Sequence, residues 1–171
     1  MKLMLGLDEI VRVTAPWHHL FDRSRPVEMA TVGTHVLSML VAGGLAIAHD
    51  RGTLRASGRS ELIRSHHLDE LHAVHRPVIV ALAVCMISGI ALFASDVATY
   101  AFSPTFWIKL ALIAFLLANA LVMQSGERTL SFAAAGGAAT AAWTRIRASS
   151  VVSVALWASI VLISIVLSLE K

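Results

Sequence analysis

Histidine is the main chemical resource of this chain: eight imidazoles in 171 residues, each able to act as a base near neutral pH or to ligate haem iron or a transition metal. His18 and His19 precede the first long apolar run, and His49 ends it. His66, His67, His72 and His75 lead into the second run, and His35 alone sits well inside one. On a helix, about 100° and 1.5 Å per residue put His35 and His49 on nearly one face, roughly 21 Å apart along the axis. Gly43 and Gly44 lie between them and let a flat group or a second helix come close to the backbone. If the first and second apolar runs pair antiparallel, the end of one lies beside the start of the other, so His49 can meet His72 or His75 in a bis-His site. His72 and His75 are also spaced to share one helix face and ligate a single metal.

Lys109 is the other unusual group, one turn into the third apolar run. A lysine there either has a function or snorkels past Pro104 to the surface. Its depth matches that of His35, so the two form a candidate shared polar site. Met39 and Met86 are soft donors that also serve as ordinary packing, and interfacial histidines also serve simply to bind headgroups or cap carbonyls. Ser88, Gly89 and Asn119 are small or polar packing positions, with Asn119 suited to bonding between helices.

Several chemistries are excluded. Cys85 is the single cysteine, so there is no internal disulfide, zinc ribbon or CxxC motif. GxSxG, HExxH, Walker A and GxGxxG patterns are absent, and no carboxylate pair falls inside the apolar runs, which leaves hydrolase, protease, nucleotide-binding and proton-pump functions without support. Asp50 and Asp96 read as solvated anchors at helix ends. The formal charge of +3 lies in flanking segments, as expected for contact with anionic lipid and not for nucleic-acid binding.

The elements that must position these groups follow from composition. With 57% hydrophobic and 15% charged residues and a mean hydropathy of +0.73, the chain departs from ordinary soluble domains. Four stretches approach the roughly 20 apolar residues that cross about 30 Å of hydrocarbon as a helix: 29–48, 77–95, 106–123 and 151–169. Pro77 reads as the opening of the second, and Pro104 stands just before the third. The short 96–105 link makes those two antiparallel neighbours. Residues 3–14 put Leu3, Leu7, Ile10 and Val11 on one face against Lys2, Asp8, Glu9 and Arg12, an interfacial helix ending at Pro16-Trp17 and not a signal peptide. The fold expected over 1–171 is a single all-α domain, an integral membrane antiparallel four-helix bundle with an N-terminal interfacial amphipathic helix.

Positive charge sets the expected orientation. Lys2, Arg12, Arg23, Arg25 and Lys171 share the side of the termini, whereas Arg51, Arg55, Arg59, Arg64, Arg76, Arg128, Arg145 and Arg147 share the other. The segments 50–76 and 124–150 therefore read as cytoplasmic loops of a bacterial inner-membrane protein with periplasmic termini. The AAAGGAATAAW run of the second loop is too weakly apolar for a fifth span and reads as lying along the interface with Trp143.

THVLSMLVAGGLAIAHDR, HAVHRPVIVALAVCMISGIALFASD and SPTFWIKLALIAFLLANALVM resemble the first three helices of small four-span bacterial membrane proteins of CopD-type copper-resistance and HemJ-type protoporphyrinogen oxidase pattern. The His35/His49 spacing is also similar to that of membrane b-type cytochromes that stack two haems. The resemblance implies haem b and electron transfer, with His35 as candidate ligand and Lys109 as a buried cation near a haem propionate or an acidic substrate. His35, His49 and His75 are the candidate iron ligands, and His72 is a further haem-site candidate. The loop joining spans one and two lacks the methionine-arginine run of HemJ-type proteins, and no Met-rich or Cys-bearing outer loop suits copper transport. The expected partners are the lipid bilayer, other membrane subunits or a homo-oligomer, and no nucleic acid. The alternatives are a non-catalytic subunit or assembly factor of a larger membrane complex, and a copper-handling protein using His35, Met39 and Met86.

Overall fold

A computed structural model describes the backbone of residues 2–56, 61–132 and 137–169 and the side chains of 7–55, 76–130 and 140–169. The described residues contain helices and no strand: α1 (Lys2–Arg23), α2 (Arg25–Ala56), α3 (Glu61–Ser95), α4 (Val97–Phe102), α5 (Pro104–Phe132) and α6 (Gly137–Leu169). Four of them contain stretches long and apolar enough to cross a membrane, Arg25–Arg55, Arg76–Ser95, Pro104–Leu130 and Thr140–Leu169.

The amphipathic α1 runs well past the expected stop, with Pro16 inside it. Proline removes one N–H and leaves one carbonyl, here that of the exposed Arg12, to find water. The next turn is fixed from outside: Trp17 Nε1 donates to Ala91 O at 2.8 Å, and His18 Nδ1 bonds Ser95 O. Ser24 alone separates α1 from α2, its carbonyl accepting from Val27 N and Glu28 N.

The helices also extend beyond the expected spans at their other ends. Pro77 lies inside α3, so it does not open a helix. Most of 124–150 is the continuation of α5 and the start of α6, and most of 50–76 belongs to α2 and α3. Residues 57–60 and 133–136 are outside the described residues. The physical reason is propensity: an alanine run too weakly apolar to be a span is still the best helix former. In α6 this run begins at Gly137, and Trp143 is a helical residue rather than part of a loop. Tertiary contact fixes the extensions, because Ile146 is 1% exposed and packs where Gly126 leaves room.

The link between α3 and α5 is built as a corner. Asp96 caps α4 by accepting from Thr99 N at 3.1 Å, as its anchor role requires, and Ser103 Oγ accepts from Phe106 N at the start of α5. Phe93 stacks on Phe106 with centroids 5.2 Å apart, and Tyr100 tilts against the same ring at 5.5 Å.

Broad contacts join α2 to α3 and α5 to α6, and the two pairs meet along α2 and α6. Their shared core comprises Ala42, Ala81, Leu116, Trp157 and Ile160, with Met39 packed against it. At the meeting line, a Cβ on Gly43 would stand 3.0 Å from the Trp157 ring, whereas one on Gly44 would meet nothing within 4 Å. Gly43→Ala should therefore destabilise the protein by about 1–3 kcal/mol through overpacking. Gly44→Ala should be neutral or stabilising by up to about 1 kcal/mol through helix propensity. Thermal unfolding of the two variants in detergent checks this; equal effects would contradict the seam.

Candidate functional site

Two polar clusters flank the core. The first gathers on the N-terminal half of α2. His35 Nδ1 lies 3.1 Å from the carbonyl oxygen of Cys85 and 3.1 Å from Ser88 Oγ. A carbonyl only accepts, and the Ser88 hydroxyl proton points to Val84 O at 2.8 Å or Cys85 O at 3.1 Å, so Nδ1 is the protonated nitrogen of His35. That tautomer leaves a lone pair on Nε2. The ring fits because α3 has no side chain at Gly89, where a Cβ would come within 3.1 Å of His35 Cε1. Ser38 Oγ donates to His35 O at 3.0 Å, and Cys85 Sγ is 3.8 Å from Nδ1. Lys109 of α5 is near enough to interact electrostatically with both His35 and Cys85. His35 and Lys109, expected at matching depth, thus share one polar environment with Cys85.

The second cluster lies toward the C-terminal end of α2, and the sequence reading missed most of it. Asp50 was expected to be a solvated anchor, yet it is 2% exposed. The correction has a structural cause: α2 continues to Ala56, and the early part of α6, read from sequence as a loop, is packed helix. Glu127 of α5 is buried as well. His49 faces both, with Nδ1 3.8 Å from Asp50 Oδ1 and Nε2 3.8 Å from Glu127 Oε1. Buried carboxylates of α2 and α5 therefore face one imidazole just beyond the apolar runs 29–48 and 106–123. Thr53, Ser150 and Ser153 are buried in α2 and α6, and a cavity of about 140 Å³ opens beside His49 and Asp50, walled in part by Leu82, Leu116 and Trp157.

Helical spacing was the available signal for these residues. Ala42, Ala46, His49, Asp50 and Thr53 continue one stripe of α2, and Asn119, Met123 and Glu127 recur every four residues on α5. Stopping the spans at residues 48 and 123 cut both stripes short.

Among the other candidates, the backbones of His66, His67, His72 and His75 belong to α3, while their side chains lie outside the described residues. His18 is pinned to Ser95 O and sits 3.4 Å from Asp22. Met86 is 50% exposed, which turns it away from the core. Among the described residues, no three of His, Cys, Asp and Glu converge as metal ligands. No family model, curated protein or solved structure matches the chain.

Asn119 behaves as bonding between helices. Its Nδ2 donates to Ser149 O at 2.9 Å, while Ser149 Oγ lies 2.9 Å from Asn119 Oδ1 and 3.1 Å from Asn119 O. Asn119→Ala should lower stability by about 0.6–1.7 kcal/mol, the range for hydrogen bonds between membrane helices. Unfolding in mixed micelles measures it, and an unchanged midpoint would contradict this role.

Proposed function

We propose that the chain is a multi-pass protein of the bacterial inner membrane whose four apolar helices form an antiparallel bundle, and that it binds one haem b through His35 and takes part in electron transfer. Support for the bilayer comes from an inside-out distribution of polarity. Leu40, Ile87, Leu121 and Leu162 are each more than 60% exposed, while Ser38, Thr53, Ser149 and Ser150 are buried. Lipid removes the cost of exposing leucine and raises the cost of exposing hydroxyls.

Support for antiparallel pairing comes from order along the chain. His35 of α2 meets Cys85 and Ser88, whereas Ala42 shares a cluster with Ala81, so α3 runs back as α2 advances. Asn119 bonds Ser149, whereas Gly126 meets Ile146, so α6 runs back along α5. The exposed Arg51, Arg55, Arg76, Arg128, Arg145 and Arg147 support a cytoplasmic side for their end by the positive-inside rule. The amphipathic α1 then lies in the opposite interface, with Val13 and Leu20 exposed toward lipid.

The observation behind the haem reading is the tautomer of His35. An imidazole whose Nδ1–H is held by a backbone carbonyl presents Nε2 to a metal in a fixed orientation and with raised basicity. Lys109 supplies a cation for a propionate. Bound there, haem would contribute one-electron transfer, and the chain would contribute a ligand nitrogen from His35 and the neighbouring charge of Lys109. His49 fits this role poorly: both its ring nitrogens face carboxylates, and the adjoining cavity is near the volume that admits benzene, about 150 Å³, and not a macrocycle.

Protein purified from haem-replete cells should show a Soret band with about one haem per chain by pyridine haemochromogen assay. His35→Ala should abolish the band and His49→Ala should leave it. Colourless wild-type protein, or equal loss in the two variants, would overturn the reading.

A second reading, a subunit that docks on another membrane helix, is favoured by Gly33 and Gly44. Neither is used in the chain's own packing, and eleven residues place them on nearly one face of α2. Gly33→Leu with Gly44→Leu should then disrupt co-purification of a stoichiometric partner or a dimer while leaving the thermal midpoint unchanged.

A further inference from the structure

The haem reading makes no use of the second polar cluster, and the cavity there has its own chemistry. It lies among α2, α3, α5 and α6, and its lining includes Leu82, Leu116, Met123 and Trp157, the ionisable His49, Asp50 and Glu127, and the amides Asn119 and Gln124. Its volume, about 140 Å³, is that of a site for a single ring or a few short alkyl groups.

The polar end is anionic. Two carboxylates face one imidazole, each at 3.8 Å. Asp50 is 2% exposed, and no described residue donates a hydrogen bond to its Oδ2; the same holds for the fully buried Ser150 Oγ. Among the described residues, the charged side chains on the surrounding helix ends are Arg51 and Arg55 of α2, Arg76 of α3, Arg128 of α5 and Arg145 and Arg147 of α6, and all of these are exposed. A buried carboxylate oxygen with no donor is costly unless a proton or a cation reaches it.

We propose that this cavity binds a small lipophilic cation, an ammonium bearing one aromatic ring or short alkyl groups. The ammonium meets the carboxylates of Asp50 and Glu127, the hydrocarbon part fills the space between Leu82 and Leu116, and the Trp157 ring supplies both apolar area and a cation–π face. A neutral molecule of the same shape would leave the carboxylates buried without new compensation, so charge and not shape decides selection. This site is independent of haem at His35.

The test is equilibrium binding of radiolabelled tetramethylammonium to the full chain in nanodiscs of zwitterionic lipid, with empty nanodiscs as blank. Saturable binding of about one per chain is expected. Asp50→Asn and Glu127→Gln should each weaken it at least tenfold, and Ala46→Phe, which sets a ring into the cavity lining from the partly buried face of α2 and keeps both carboxylates, should abolish it. Neopentane, the uncharged isostere, should compete at least tenfold less well. Absence of saturable binding, full affinity in Asp50→Asn, or equal competition by the neutral isostere would each overturn the proposal.

Discussion

The contact on which the molecule depends is the seating of the Trp157 ring on the backbone of Gly43. It closes the line along which α2 meets α6, the broad contact that joins the α2–α3 pair to the α5–α6 pair. Ala42, with no exposed surface, allows the same close approach one residue earlier. In lipid there is no hydrophobic force to draw helices together, so a large flat ring against a helix without a side chain is an efficient source of dispersion contact.

On one side of the seam, α2 presents His35 to α3 in a defined tautomer beside Lys109. On the other, it presents His49 and Asp50 to Glu127 of the opposite pair. The two clusters differ in kind. The first is an imidazole held by hydrogen bonds to a neighbouring helix and overlooked by a cation, which suits ligation and an anionic group. The second is a carboxylate pair around one imidazole, opening on an apolar cavity, which suits a positive charge. Roughly 21 Å of helix rise along α2 separates the two clusters, and that distance, not the low dielectric between them, is what weakens their coupling.

Much of this was legible in the sequence, and the limits are physical. Hydropathy located the apolar runs because the backbone must satisfy itself in hydrocarbon. The depth of His35 and Lys109 was readable because helical rise converts residue number into height. What hydropathy does not contain is where a helix stops after it ceases to be apolar. The alanines of 138–142 and the arginines beyond residue 50 are good helix formers that carry α2, α3, α5 and α6 past the expected ends, and neither Pro16 in α1 nor Pro77 in α3 ends its helix. This hid the second cluster, since Asp50 and Glu127 lay just outside the expected spans; Asp50 read as a solvated anchor, and Glu127 was not singled out. The bond between His35 and the Cys85 carbonyl was hidden for another reason: a backbone acceptor on a neighbouring helix leaves no mark in side-chain types.

The central claim is that carboxylates from α2 and α5, brought together across the seam, share one buried site. A double-mutant cycle on unfolding free energy with Asp50→Asn and Glu127→Gln tests it directly. Shared burial predicts that neutralising one carboxylate changes the effect of neutralising the other by about 0.5–3 kcal/mol. Additivity within about 0.3 kcal/mol would show that the two groups do not meet, and the account of the seam would be wrong.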